Sequence, residues 1–168
     1  MHNRCIYFVE GEDEKKLINA LKLRPERIIP GQVKVHNVIQ NLIPKSVLLT
    51  IKPGTIVVFV FDTDVEKADV LLKNIDRINQ ICSKVQMVNL CQVLKLEDEL
   101  VRSSDVRDAC ELTNSRGVGE FKRDFCKLKD TACRKVLEDH RFNIQRMWET
   151  TPPSAFAFVQ SNSRVIKR

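Results

Sequence analysis

Continuous apolar runs alternate with amphipathic segments along the first 93 residues of the chain. A continuous run such as TIVVFVF, at 55–61, is typical of a strand that is covered on both faces. In the segment 65–83, apolar residues recur at helical spacing, which indicates a helix with one buried face. The stripe on that face consists of Ala68, Leu71, Leu72, Ile75 and Ile78. Strand–helix alternation of this kind predicts βαβ units and a parallel sheet.

The pattern predicts four strands, and helices dominate the second half of the chain. The predicted strands are 6–10, 32–38, 55–61 and 84–93. The predicted helices are 12–23, most of 38–51, 65–83, 97–103, 117–128, 130–138 and 141–149. The tail SNSRVIKR is polar and basic, which predicts a loose C-terminus. We therefore expect an α/β core over 1–104 and a basic helical extension over 105–168 that packs on the same domain.

Composition adds a charge argument to this picture. The 168 residues are 43% hydrophobic, which fits a folded globule, and they carry a net charge of +6 with a pI of about 9.1. An excess of lysine and arginine favours an anionic partner, with nucleic acid as the first choice. The other interpretation is that the charge serves solubility alone.

Cysteine usage and hydropathy bear on the compartment. The six cysteines form no CxxC pair and have no zinc-finger spacing with histidine, so they are expected to be free thiols in a reducing cytoplasm. The N-terminus lacks the long apolar segment of a signal peptide. The longest apolar run, IVVFVF, is too short to span a bilayer, so no membrane association is expected.

Acidic side chains gather where two predicted strands end. Glu10 follows the first strand, and Asp62 and Asp64 follow the third. Because ligands of a parallel sheet bind beyond the carboxyl ends of its strands, we expect these three acids to converge. Carboxylates brought together in this way are typical ligands of Mg²⁺, which also leaves room for a phosphate. The alternative is that Asp62 and Asp64 are N-caps of the following helix.

The acidic motifs resemble those of a known domain. VEGEDE, at 9–14, followed about fifty residues later by FVFDTD, at 59–64, is similar to the Toprim domain of topoisomerases, bacterial primases, OLD-family nucleases and RecR-type recombination proteins. The resemblance covers residues 4 to about 103 and implies a Toprim-like, Rossmann-like fold. It implies acid/base chemistry at Glu10, Mg²⁺ or Mn²⁺ binding at Asp62 and Asp64, and close approach of a phosphate at Gly11.

The VEGxxE form of the first motif resembles the OLD-type nucleases more than the topoisomerases. That resemblance implies further acids after the fourth strand, where the chain has Glu97, Asp98 and Glu99. Glu97, with Glu99, is therefore predicted to bind a second metal ion, although an acid-rich helix start explains these residues equally well. Glu14 is either part of the motif or a solvated helix residue. No GxxxxGKS loop is present, and we expect a free-standing domain.

Basic residues accumulate in the segment 115–135. Its apolar stripe leaves Lys122, Arg123, Lys127 and Lys129 largely on the other side of the predicted helix, where they are candidates for binding the phosphate backbone. The alternative is an ordinary solvated face. The segment RGVG, at 116–119, is predicted to be a flexible loop that closes over a substrate.

These features together predict a Mg²⁺- or Mn²⁺-dependent endonuclease acting on DNA or RNA. The OLD-like resemblance implies a role in phage defence or repair and, as partners, nucleic acid and a partner protein or ATPase. Two other classes fit the same motifs. One is a non-catalytic, RecR-like scaffold that binds nucleic acid, and the other is a primase-like nucleotidyl transferase. The oligomeric state is left open by the sequence.

Overall fold

The computed structural model describes residues 4–65 and 67–168 of the chain. The strands are Cys5–Val9 (β1), Gln32–Val35 (β2), Ile56–Asp62 (β3) and Gln86–Gln92 (β4). They form one four-stranded sheet in the order β2–β1–β3–β4, and every pair is parallel. The predicted α/β class with a parallel four-stranded sheet is confirmed.

Six α-helices surround the described sheet. They are Glu12–Leu21 (α1), Lys45–Leu48 (α2), Asp69–Ile81 (α3), Leu96–Ser103 (α4), Val118–Lys127 (α5) and Asp130–Asp139 (α6). Three short 3₁₀ turns occur at Ala109–Leu112, Ser154–Phe156 and Ser163–Val165. Within the described ranges, no helix is long and apolar enough to cross a membrane.

The alternation of side chains along β3 divides the interior into two cores. Val58 and Val60 point to one face, where they pack with the buried faces of α1, α4, α5 and α6. Phe59 and Phe61 point to the other face, where they pack with α3. Because both faces are covered, β3 is a continuous apolar run rather than an alternating one, as expected for a parallel strand. Phe121 of α5 lies in the same cluster as β1 and α1, so the segment after 105 shares the core of the sheet.

The helix predicted over most of 38–51 is wrong, since only one turn of it, α2, is helical. The reason is a tertiary contact that periodicity does not reveal. Asn74 of α3 is fully buried, and its side chain accepts a hydrogen bond from the Ile43 amide and donates to the carbonyls of Val38 and Asn41. These bonds replace the ones that a helix would supply.

The helix predicted over 141–149 is also wrong. Arg141 and Trp148 both adopt positive φ angles, 54° and 60°, which a helix does not allow. The Asn143 amide donates to the Ser103 carbonyl at 2.7 Å, so the chain turns back onto α4 instead of continuing α6. The apolar residues that suggested a helix are buried nonetheless, and Met147 and Trp148 are fully enclosed.

The C-terminal tail is packed, which contradicts the expected loose end. Ile166 is fully buried, and its carbonyl accepts a hydrogen bond from the Ile29 amide. Asn162 imitates a strand partner beside β4: its amide nitrogen donates to the Met87 carbonyl, and its oxygen accepts from the Asn89 amide. The tail therefore covers the outer edge of β4.

Two smaller predictions also change. Leu72, assigned to the buried stripe of the third helix, is 44% exposed, because α3 begins at Asp69 and turns that position outward. The predicted loop 116–119 is largely the start of α5, with Gly117 at its N-cap and Gly119 inside it. Glu66, which the helix predicted at 65–83 included, lies outside the described residues.

Candidate active site

The carboxyl ends of β1 and β3 place Glu10 beside Asp62, because the two strands are neighbours in the sheet. Glu10 is fixed by two hydrogen bonds. Its Oε2 accepts from the Asp62 backbone amide at 3.3 Å, and its Oε1 accepts from the Asn37 side chain at 2.8 Å. Burial raises the pKa of Glu10, with the Asp64 charge adding to the effect, while these hydrogen bonds oppose it.

Asp62 lies at the centre of the acidic group. Its pKa is raised to about 8, first by burial and then by the charges of Glu10, Asp64 and Glu97, and only Lys122 lowers it. Its Oδ1 is buried and has no hydrogen-bond donor among the described residues. A buried carboxylate oxygen without a donor is uncommon, and a bound cation or an ordered water molecule is the usual explanation.

Asp64 lies at the solvent side of the same group. Its side chain is 36% exposed and forms an ion pair with Lys95, with Oδ2 and Nζ 3.5 Å apart. The N-cap of α3 is Ala68, and no side chain caps this helix. The alternative interpretation of Asp62 and Asp64 as helix caps is therefore wrong.

Glu14 joins the acidic group, although its position within a helix made its role uncertain from the sequence. It is only 3% exposed, and its Oε2 accepts the Gly11 amide at 2.8 Å. Burial, a hydrogen bond with Asp13 and the charges of Asp13 and Asp62 raise the pKa of Glu14 to about 9. The usable signal was the VEGxxE spacing, which puts this residue one turn into the helix that faces β3.

The carboxylates of Asp13 and Glu14 explain why residue 11 is a glycine. Its φ of −144° is ordinary extended backbone, so no special conformation requires glycine. A Cβ at this position would lie 2.9 Å from an Asp13 oxygen and 3.2 Å from a Glu14 oxygen. The absence of a side chain at Gly11 therefore lets acidic oxygens approach the backbone closely.

Glu97 extends the acidic group to a third element, α4. Its side chain is 13% exposed, and both carboxylate oxygens are buried without a hydrogen-bond donor among the described residues. The Lys122 ammonium lies 3.2 Å from Oε1, an ion pair that lacks hydrogen-bond geometry, and 3.7 Å from an Asp13 oxygen. Burial opposes the charge on Lys122, but the charges of Glu97 and Asp13 outweigh it and raise the pKa of this lysine.

Glu99, predicted as a second-metal ligand with Glu97, is not brought into this group. It is completely buried on the other side of α4, where its oxygens accept hydrogen bonds from the Val93 and Trp148 amides and from Arg102. These partners occupy the carboxylate. Glu99 therefore has a structural role, which arises from a contact 49 residues away in the chain.

Gln92 is a site residue that the sequence analysis missed. It is fully buried at the end of β4, opposite Asp62 in the last paired position of β3 and β4. Neither its amide nitrogen nor its amide oxygen has a hydrogen-bond partner within the described chain. The alternation of β4 places it on the same face of the sheet as Asp62. Its position at a strand end was the available signal.

Of the four predicted basic residues, two are paired with acidic side chains and two are exposed without such a partner in the described part of the chain. Lys122 faces the acidic group rather than the outer surface. Arg123 pairs with Glu120 and Asp124 of its own helix. By contrast, Lys127 and Lys129 are exposed and have no ion-pair partner within the described ranges. Only these last two residues match the predicted free basic face.

The donor set fits a hard divalent cation such as Mg²⁺ or Mn²⁺, because it consists of carboxylates and includes buried oxygens without donors on Asp62 and Glu97. In residues 4–65 and 67–168, however, no three histidine, cysteine, aspartate or glutamate side chains already form a group that could hold a metal ion. Cation binding here thus requires side-chain rotation.

Comparisons with known proteins do not assign the chain. No protein-family model matches the sequence, and no curated protein or solved structure is significantly similar to it. The Toprim resemblance therefore stays a prediction that rests on the two acidic motifs, and the argument for function rests on the site.

Proposed function

We propose that the protein is a metal-dependent phosphodiesterase that cleaves nucleic acid. The observation that carries this proposal is the convergence of Glu10, Asp62 and Glu97 from three elements, with buried carboxylate oxygens that lack donors. A fold rarely keeps a buried carboxyl oxygen without a hydrogen-bond donor, such as Asp62 Oδ1, unless the group has a use. Acidic groups with strongly shifted pKa values beyond the ends of parallel strands are typical of catalytic sites.

In this proposal, the three strand-end acids hold the first divalent cation. They are Glu10, Asp62 and Asp64. Glu97, on α4, would bind a second one. Bound divalent cations supply charge stabilisation at the phosphate and lower the pKa of a water molecule. Since burial raises the pKa of Asp62 to about 8, metal binding there would release a proton and would strengthen as pH rises.

Lys122 has a separate role from the acids. Its ammonium lies on the rim of the acidic group, 45% exposed, with Glu97 on one side and Asp13 on the other. If Glu97 held a cation, the Lys122 ammonium would be free to pair with a non-bridging phosphate oxygen. A positive charge held at this position favours the additional negative charge of the transition state.

Two other functional classes, a nucleic-acid-binding scaffold and a nucleotidyl transferase, are the alternatives to this proposal. A RecR-like scaffold needs no buried carboxylates without donors, and the acidic group therefore argues against it. A primase-like nucleotidyl transferase uses the same acids, but it also requires a nucleoside triphosphate. The two catalytic classes differ in the co-substrate that they need.

The test is a cleavage assay on labelled single-stranded and double-stranded DNA and RNA, with Mg²⁺, Mn²⁺ or EDTA. We expect cleavage that requires the metal and that Asp62→Asn reduces by at least a hundredfold. Asp76→Asn, an exposed acid on α3, is the matched control and should retain full activity. If Asp62→Asn cuts as fast as the parent, the proposed site is wrong. If products form only when nucleoside triphosphates are added, the transferase is the better assignment.

A further inference from the structure

A cavity of about 420 Å³ opens next to the acidic group and shares Glu97 and Lys122 with it. It lies between the start of α4, the 3₁₀ turn at Ala109–Leu112 and the start of α5. We propose that this cavity binds one unpaired nucleotide of the substrate strand, adjacent to the phosphodiester that is cleaved. This inference rests on the proposed function, and it adds a preference for single-stranded over fully paired nucleic acid.

The charges around the cavity favour an anion. Its lining contains four cationic side chains and three acidic ones: Lys95, Arg102, Arg107 and Lys122, against Glu97, Asp98 and Asp108. Two of the acids keep their negative charge but accept hydrogen bonds from backbone amides. Asp98 accepts from the Lys95 amide at 3.2 Å, and Asp108 accepts from the Cys110 amide at 2.7 Å. The third, Glu97, faces Lys122 and the candidate metal site.

Arg107 is the cation that is free to bind a ligand. Arg102 donates to Glu99 and to the Val93 carbonyl, and Lys95 pairs with Asp64. The Arg107 guanidinium, by comparison, has no ion-pair partner in the described part of the chain, and only its backbone amide is engaged, with Glu111. An exposed, uncommitted guanidinium over a cavity is suited to bidentate binding of a phosphate.

The remaining lining and the size of the cavity point to a nucleotide. Val101, Ala109 and Val118 provide an apolar part of the lining, as is usual in pockets for small ligands. The volume falls within the range of pockets for small ligands, about 300–1,000 Å³. A base inside a duplex is stacked and paired, so it enters a pocket only after it has been drawn out of the stack. The occupant is therefore a single nucleotide that is unpaired or has been drawn out of a duplex.

The test measures binding, so it does not depend on cleavage. A fluorescent 12-nucleotide DNA strand, alone or annealed to its complement, is titrated with Asp62→Asn protein in Mg²⁺, in which the strand stays intact. Arg107→Gln is then added to this background. We expect it to weaken single-strand binding about tenfold or more, the usual effect of losing a hydrogen bond to a charged group, and to change duplex binding much less.

Two further variants control the interpretation. Val118→Trp, at a position that is 52% exposed, narrows the cavity without disturbing the core and should also weaken single-strand binding. Arg164→Gln removes an arginine that lines a different cavity near the C-terminus and should leave the affinity unchanged.

The inference would be overturned if Arg107→Gln and Arg164→Gln lost equal affinity for the single strand. It would also be overturned if the protein bound the single strand and the duplex with equal affinity. Failure of the proposed function gives a different result, in which the parent cleaves nothing while the effects of Arg107→Gln and Val118→Trp on binding persist.

Discussion

Asp62 and Gln92 face each other across the last paired position of β3 and β4, yet no hydrogen bond joins their side chains. The amide of Gln92 is fully buried, and a buried amide without partners destabilises a fold. A bound cation with its water molecules would provide partners for both residues. Binding of a cation at the proposed site therefore explains this pair better than the stability of the sheet does.

Replacing Gln92 with leucine separates these two explanations. Since removing an unpaired buried polar group is neutral or stabilising, Gln92→Leu should melt in EDTA at the parent temperature or above it. If Gln92 serves the site, the same change should lower the rate of metal-dependent cleavage at least tenfold. Gln86→Leu, at the exposed start of the same strand, should leave the rate unchanged. A lower metal-free melting temperature with full activity would assign Gln92 to the fold.

The raised pKa of Asp62 predicts how stability depends on pH. The ordinary value is 3.8 and the value in the folded protein is about 8, so folding favours the protonated carboxyl. This contribution to stability is complete below about pH 4 and is lost as the pH rises through about 8. In EDTA, the melting temperature of the parent should therefore fall between pH 5 and pH 8. Asp62→Asn should show a smaller fall, and the exposed-site variant Asp76→Asn should follow the parent. Parallel pH profiles for Asp62→Asn and the parent would contradict the buried position of this carboxyl.

Glu97 and Glu99 are two residues apart, but Glu97 is a proposed metal ligand and Glu99 is hydrogen-bonded to backbone amides inside the fold. Substituting each of them therefore tests the proposed site separately from the fold. Glu99→Gln weakens hydrogen bonds to a buried charge and should cost about 2 kcal/mol, which is a fall of ~4–8 °C in melting temperature for a chain of this size. Glu97→Gln removes both the repulsion with Asp62 and the ion pair with the half-exposed Lys122, so it should change the metal-free melting temperature much less than Glu99→Gln does.

The metal response should show the reverse order. If Mg²⁺ binds with a Kd of ~1 mM, then ~10 mM Mg²⁺ adds about 1.4 kcal/mol of stability, a rise of roughly 3–6 °C. Glu99→Gln should keep this rise and Glu97→Gln should lose part of it. Thermal melts with Mg²⁺ and with EDTA measure both quantities. An unchanged Mg²⁺ response in Glu97→Gln would remove Glu97 from the set of metal ligands.

Two exposed lysines at the end of α5 and the start of α6 make a prediction about salt. Lys127 and Lys129 are free to contact phosphates, whereas Arg123 is already paired with acids of its own helix. Replacing both lysines with glutamate should reduce the slope of log affinity against log salt by about two, or one for each lost contact. Arg123→Gln should change the slope less. Affinities measured between 50 and 200 mM salt provide the slopes, and equal slopes for the double variant and the parent would mean that these two lysines are merely solvated.

The sequence predicted those parts of the molecule that depend on local pattern. The four strands, their parallel arrangement and the position of Asp62 at a strand end all follow from apolar runs and their ends. The errors have a common cause in contacts between distant residues. Asn74 holds the loop that was expected to be a helix, and Glu99 binds the amide of Trp148. Neither contact leaves a periodic signal, so a pattern within one segment does not reveal it.

The tail packed along β4 has a consequence for how copies of this chain could associate. Asn162 occupies the backbone groups of Met87 and Asn89 on that side, whereas β2, on the opposite side, pairs only with β1. Open strand edges invite pairing between molecules, and growth into fibres needs an open edge at both ends. Because the tail occupies the β4 edge, two copies that paired through β2 about a two-fold axis would form one continuous eight-stranded sheet. Neither end of that sheet would then offer an open strand edge to a third copy. The tail thus removes the backbone groups of Met87 and Asn89 from the positions at which another strand could pair.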